Sequence, residues 1–155
     1  MSDEITIRFA NPEDVSVLVS FNQAMARETE DKELAVDIVS AGVQGLLDKP
    51  TLGFYVVAES GNAVVGSLMV TMEWSDWRNG LFWWIQSVYI RPDHRRKGIY
   101  RRLYAFVKDR AHKDSGVCGF RLYVEKDNEV AQRTYAALGM EETHYKIYEE
   151  LSGDG

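Results

Sequence analysis

Cysteine, proline and histidine are scarce in this 155-residue chain, at one, three and three copies, and each scarcity closes off a class of protein. A single thiol, Cys118, makes no internal disulfide, so the chain is not a stapled scaffold and suits a reducing compartment. Within GVCGFRLYV it reads as a small buried apolar side chain rather than a nucleophile. His94, His112 and His144 stand apart without metal-ligand spacing, which leaves them surface or loop positions and predicts no metal. No apolar run approaches the roughly 18 residues of a membrane span. The opening MSDEITIRFANPED has no basic-then-apolar leader. A soluble, cytoplasmic protein with no membrane partner is the expectation.

Hydrophobic residues make up 45% of the chain, enough at this length for one well-packed domain and too short for two ordinary ones. The reading is a single domain over 1–151 followed by a polar tail, 152–155, which should fray. The net charge is −6 and lies entirely in residues 1–50, which hold ten acids and four basic residues, whereas 51–155 hold fourteen of each. Net acidity argues against nucleic acid as a partner. It leaves an acidic N-terminal part and one basic cluster, a polarity that suits a site where an anionic and a cationic ligand meet, or equally a solvated acidic helix face.

The cluster lies in FWWIQSVYIRPDHRRKGIYRRLY, residues 82–104. Its first part is apolar, aromatic and β-branched, the pattern of a strand buried on both faces. Pro92 and Asp93 stop it near Ile90, because proline cannot donate to a ladder and aspartate favours a turn. From Ile99 the period changes: Tyr100, Leu103, Tyr104, Val107 and Ala111 recur at helical spacing. Between strand and helix, Arg95, Arg96, Lys97, Arg101 and Arg102 put five positive charges into eight positions without an acid. Gly98 in their midst permits backbone N–H groups to turn toward a ligand. A helix N-terminus ringed with arginine is a site for phosphate.

The remaining elements fall on either side. Residues 5–9 alternate as a strand; Asn11, Pro12, Glu13 and Asp14 cap a helix whose inward stripe is Val15, Leu18, Val19, Asn22 and Met25. The stretch 28–32, ETEDK, breaks that pattern as an acidic bend, and a second helix runs from about 34 to 47 before Pro50. Strands at 53–59 and 63–74 are joined by the hairpin signal Ser60-Gly61-Asn62. A strand at 119–124, a helix at 128–138 stopped by Gly139, and a last strand at 142–148 complete an α/β domain with a mixed sheet flanked by helices.

Two motifs in this order carry a resemblance. The strand, Arg-x-x-Gly loop and helix of 81–114 is followed by Asn-x-x-Ala-x-x-x-Tyr-x-x-x-Gly, formed by Asn128, Ala131, Tyr135 and Gly139. Together, over nearly the whole chain, they resemble the GNAT superfamily of acyl-CoA-dependent N-acyltransferases, loosely the diamine acetyltransferases. Tyr100 departs from the pattern, standing where the family usually has a second small residue. The resemblance implies the GNAT-like fold and acetyl-CoA as co-substrate. It implies pantetheine on the backbone of Val88, Tyr89 and Ile90, and diphosphate on Arg95, Arg96, Lys97, Gly98, Ile99, Tyr100 and Arg101. Asn128, by itself a helix cap, and Tyr135, by periodicity alone a core tyrosine, would contact the cofactor, with Tyr135 protonating the departing thiolate.

Diamine acetyltransferases carry two adjacent acids in the central strand, and this chain has Gln86 and Ser87 there. A base therefore comes from Glu28, Glu30, Glu73 or Glu125, or from a water chain held by Gln86, which is the reading favoured. Trp74, Trp77, Trp83 and Trp84 crowd into eleven positions. Side chains 83 and 84 point to opposite sheet faces, while Trp74 and Trp77 either flank a cationic acceptor or pack a turn onto the helices. The acceptor side is assigned to Glu28, Glu30, Trp84 and Gln86. Expected from all this is acetyl transfer to a primary amine, best a small cationic one, with a homodimer among the family's habits. A lysine or N-terminal acetyltransferase and a non-catalytic acyl-CoA sensor remain alternatives.

Overall fold

The computed structural model describes residues 4–153. They divide into two compact units, one ending at Tyr123 and the other beginning at Val124.

The first unit is built on a five-stranded sheet in the order β1-β2-β3-β4-β5, where β1 is Ile5–Phe9, β2 Gly53–Ser60, β3 Ala63–Ser75, β4 Gly80–Ile90 and β5 Val117–Arg121. The first four strands pair antiparallel and β5 joins β4 parallel. Helices α1 (Val15–Glu30), α2 (Val36–Leu47) and α3 (Ile99–Lys113) cover the sheet.

Alternation along the strands sorts the core into two layers. Tyr55 and Val57 of β2 pack with Leu18 and Val19 of α1 and Val43 of α2, against Met69. The neighbouring Phe54 points the other way, onto Phe9 at 5.3 Å and Trp83 at 5.2 Å, and Phe9 meets Phe106 of α3 at 5.1 Å. Trp83 is 2% exposed and Trp84 half-buried, as opposite faces require. At the hairpin tip Trp74 and Trp77 are 61% and 89% exposed, so they do not pack a turn onto the helices.

The start of α1 follows its sequence closely. Asn11 accepts from the Glu13 N–H, Asp14 accepts from the Asn11 N–H at 2.8 Å, and Pro12 opens a 3-10 turn before the helix. Asp14 is buried and bridged by Arg8 at 2.8 Å. Its far end corrects the expected acidic bend at 28–32. Thr29 donates to the Met25 carbonyl, the helix continues through Glu30, and the break falls at Asp31, left-handed at φ 49°. Polar side chains removed the apolar stripe there without removing helix propensity.

Cys118 is also corrected, from buried to exposed. It lies on the terminal strand of the sheet, where one neighbour is missing.

In the second unit, α4 (Glu129–Ala137) begins at Asn128, whose side chain accepts from the Ala131 N–H, and ends before Gly139 at φ 99°. The strand expected at 142–148 does not form among the described residues. Tyr145, Ile147 and Tyr148 keep the alternation but are 64%, 64% and 92% exposed. The Tyr145 N–H is taken by the Thr143 hydroxyl, a local bond that competes with a ladder. Of the expected tail at 152–155, Ser152 and Gly153 are exposed, and the last two residues lie outside the described residues.

Candidate active site

Two backbone features set the end of β4 apart from its neighbours. Ser67 pairs with Tyr89 and Met69 with Gln86, so Ser87 and Val88 together oppose Leu68 in a β-bulge, with Ser87 left-handed at φ 51°. Parallel pairing with β5 ends at Trp84–Arg121. From Ile85 to Ile90 the β4 backbone has no β5 partner among the described residues, and its peptide groups on that side can take an extended ligand chain. Val88 and Ile90 are half-buried here and Tyr89 is 8% exposed.

The strand runs into a 3-10 turn, Pro92–His94, and then into the basic loop. Arg96 is left-handed at φ 64° and Gly98 at φ 78°, the latter as N-cap of α3. No side chain caps α3, so its first N–H groups stay available for an anion. An added Cβ at Gly98 meets nothing within 4 Å, which identifies the backbone angle, not crowding, as the reason for glycine. Ile99 is buried and anchors the helix, and Tyr100 stacks on Tyr104 with ring centroids 6.1 Å apart. Tyr100 thus spends its bulk along the helix flank.

The five cations divide by what they touch. Arg102 donates to the Ile5 carbonyl at 2.7 Å and ties α3 to β1. Arg95 donates from Nε to the Ile90 carbonyl and from Nη2 to Glu28 Oε1, both at 2.8 Å, with its guanidinium 5.3 Å from the Tyr89 ring centroid. Arg96, Lys97 and Arg101 are exposed and have no acidic partner among the described residues. They leave the loop's positive charge open to solvent.

Glu28, read from sequence as an acceptor-side residue and a candidate general base, has both carboxylate oxygens engaged: Oε1 with Arg95, and Oε2 with the Tyr89 hydroxyl, which donates at 2.8 Å. The Arg95 bond, aided by Tyr89 and by the Arg95 charge, holds its pKa below the usual glutamate value against a smaller opposing effect of burial. Burial and the bond to Glu28 push the Tyr89 phenol up. No periodicity could have disclosed this pairing, whose partners are 67 residues apart. Glu30 is exposed nearby in sequence.

Gln86 and Trp84 lie on the same sheet face as Tyr89, since their cross-strand partners Met69, Thr71 and Ser67 are two apart. Gln86 donates to the Thr71 hydroxyl at 2.6 Å, leaving its own carbonyl oxygen to accept from a water or an ammonium. Trp84 Nε1 and Arg121 Nη1 both donate to Glu73 Oε1, at 2.8 and 3.0 Å. That oxygen of Glu73 is thus shared between an indole and a guanidinium. Tyr123 stands 6.2 Å from the Trp84 ring, and it was missed in the sequence because a lone tyrosine at a strand end has no signature.

In the second unit, Asn128 spends its oxygen as the cap of α4, and Tyr135 on that helix is half-buried, with its phenol pKa raised by burial. Glu125 contributes its carbonyl to the Gln132 side chain. Among the described residues there is no group of three or more His, Cys, Asp or Glu side chains able to hold a metal, and no helix long and apolar enough to cross a membrane.

Comparison with known proteins accords with this geometry. A possible acetyltransferase from Clostridium difficile 630 superposes with a TM-score of 0.88 at 46% identity, over 95% of this chain and 97% of that one. An integron cassette protein from the mobile metagenome of Cole Harbour Salt Marsh gives 0.84 at 24% identity, over 96% and 91%. The aminoglycoside acetyltransferase AAC(6')-Iy, solved with the bisubstrate analogue CoA-S-monomethyl-acetylneamine, gives 0.79 at 17% identity, over 97% and 99%, a likeness of fold. No curated protein matches the sequence. The family model for the acetyltransferase (GNAT) family matches residues 18–140. With that match spanning most of the chain, and with the bulged strand, the open edge and the basic helix end in place, the protein belongs to the GNAT acetyltransferase family.

Proposed function

We propose that the protein transfers the acetyl group of acetyl-CoA to the primary amine of a small cationic molecule. The observation that carries this is the N-terminus of α3, uncapped, left-handed at Gly98 and flanked by Arg96, Lys97 and Arg101, which have no acidic partner among the described residues, at the end of a β4 edge that has no β5 partner among them. The helix end and its cations match a diphosphate in sign and geometry. The open edge from Ile85 to Ile90 suits a pantetheine amide chain. The amine nitrogen forms its bond to the thioester carbonyl carbon, the carbon–sulfur bond breaks, and one proton leaves nitrogen while another reaches sulfur. Tyr135 supplies the proton to sulfur. A water that donates to the Gln86 carbonyl oxygen carries the amine proton away. The acceptor lies over the face that carries Trp84, Gln86 and Tyr123, where aromatic rings and the Gln86 oxygen receive a cation.

Thiol release from acetyl-CoA, followed with a panel of polyamines, aminoglycosides, amino acids and lysine peptides, tests this. Amine-dependent release with cationic small molecules is the expected result. Binding of acetyl-CoA without release for any amine would leave a sensor, and release with peptides alone would make it a protein-modifying enzyme.

A further inference from the structure

Among the described residues, Arg95 is the one cation of the basic loop that reaches an acid across the sheet face, and its partner Glu28 lies in the last turn of the helix that covers that face. Both side chains are open to solvent, 41% and 39% exposed. An ion pair that exposed is weak, because water and salt screen it and two long side chains must be held still. A diphosphate offers the same guanidinium more charge and two parallel acceptor oxygens. Where a weak partner and a strong one compete for one group, the strong one takes it.

Resting on the proposal that this loop binds acyl-CoA, we infer that Arg95 exchanges partners on binding: it is held by Glu28 in the free protein and moves to the diphosphate when acyl-CoA enters. Arg95 lies three residues before Gly98, on the same short loop as the helix end. Its present bonds to the Ile90 carbonyl and Glu28 turn it back along β4. The exchange has a consequence on the sheet face. Glu28 loses its counterion while Tyr89 still holds Oε2, so a carboxylate with one free oxygen stands at Tyr89, on the sheet face that also carries Gln86 and Trp84. The site becomes attractive to a cationic amine only after the acyl donor is present. Glu28 is in this sense a positioning residue that acts through Arg95.

A double-mutant cycle read by calorimetry with CoA tests the exchange. Glu28→Gln keeps the shape and removes the competing charge, and it should tighten CoA about two- to fivefold, the range expected for an exposed pair. Arg95→Gln should weaken CoA, and in that background Glu28→Gln should have no further effect. Melting temperatures check that all four proteins are folded, and Tyr89→Phe, which removes only the donor to Oε2, should tighten CoA by less than Glu28→Gln. If Glu28→Gln weakens CoA or leaves it unchanged, the contact is a strut and the exchange is wrong. If it tightens CoA equally with and without Arg95, the effect is general charge removal and the exchange is again wrong. Failure of the wild-type protein to bind CoA at all would overturn the acyl-CoA reading and this inference together.

Discussion

A tyrosine can protonate a departing thiolate only while it holds its own proton, and burial moves the Tyr135 phenol upward from its ordinary value near 10. It stays protonated through neutral and mildly alkaline pH. Tyr135→Phe should lower turnover about 10- to 1000-fold with little change in acetyl-CoA affinity. Because a thiol has a pKa near 8.5, the defect should shrink as pH rises and sulfur leaves unprotonated. A rate–pH comparison of the two proteins checks this, and a defect equal at every pH would mark Tyr135 as a packing residue. At Gly98 the open space around an added Cβ separates two effects. Gly98→Ala meets only the left-handed backbone angle, at a cost of about 1 kcal/mol. Gly98→Glu adds a negative charge at the helix end and should abolish acetyl-CoA binding by calorimetry while the fold persists.

At the scale of elements, the join between β1 and α1 depends on Asp14. Burial acts to raise its pKa, but the hydrogen bond from Arg8, the Asn11 N–H and the Arg8 charge outweigh that and bring it below the usual carboxylate range. Asp14→Ala removes a capping-box acceptor and leaves Arg8 with the Phe9 carbonyl at 3.1 Å and Glu59 at 3.3 Å. A loss of about 2 to 4 kcal/mol in urea unfolding is expected. A group whose folded pKa is depressed contributes fully above its unfolded pKa, about 3.9, and loses the contribution as pH falls through the folded value. The difference in melting temperature between wild type and Asp14→Asn should therefore be full at pH 7 and narrow below about pH 4.

Over the whole molecule, the surplus of acid in residues 1–50 and the basic helix end set up two fields of opposite sign. Within the acidic stretch, Glu28 is paired with Arg95 and Glu33 with Arg27, while Glu30 is exposed. Pairing reduces the short-range attraction for a cation and leaves the long-range component. Cationic amines should have the higher kcat/KM in the acceptor panel, and their advantage should fall as salt shortens the screening length to about 10 Å at 0.1 M. An acidic amine as best substrate, or a ranking indifferent to salt, would refute that electrostatic account.

Local signals carried a large part of this protein in the sequence itself. The caps at Asn11 and Asn128, the hairpin at Gly61, the left-handed Gly98 and the change of period between β4 and α3 are all decided within a few residues of chain. So was the uncapped basic helix end, because charge and backbone freedom are written position by position. Tertiary structure decided what lies across long separations. It divided five similar cations into one bonded to the Ile5 carbonyl, one bonded to Glu28 and three with no acidic partner among the described residues. It put two residues of β4 opposite one of β3 at Ser87. The alternating residues 142–148 show the same limit from the other side, since alternation specifies which side chains share a face, whereas a strand exists only where a neighbour completes its hydrogen bonds.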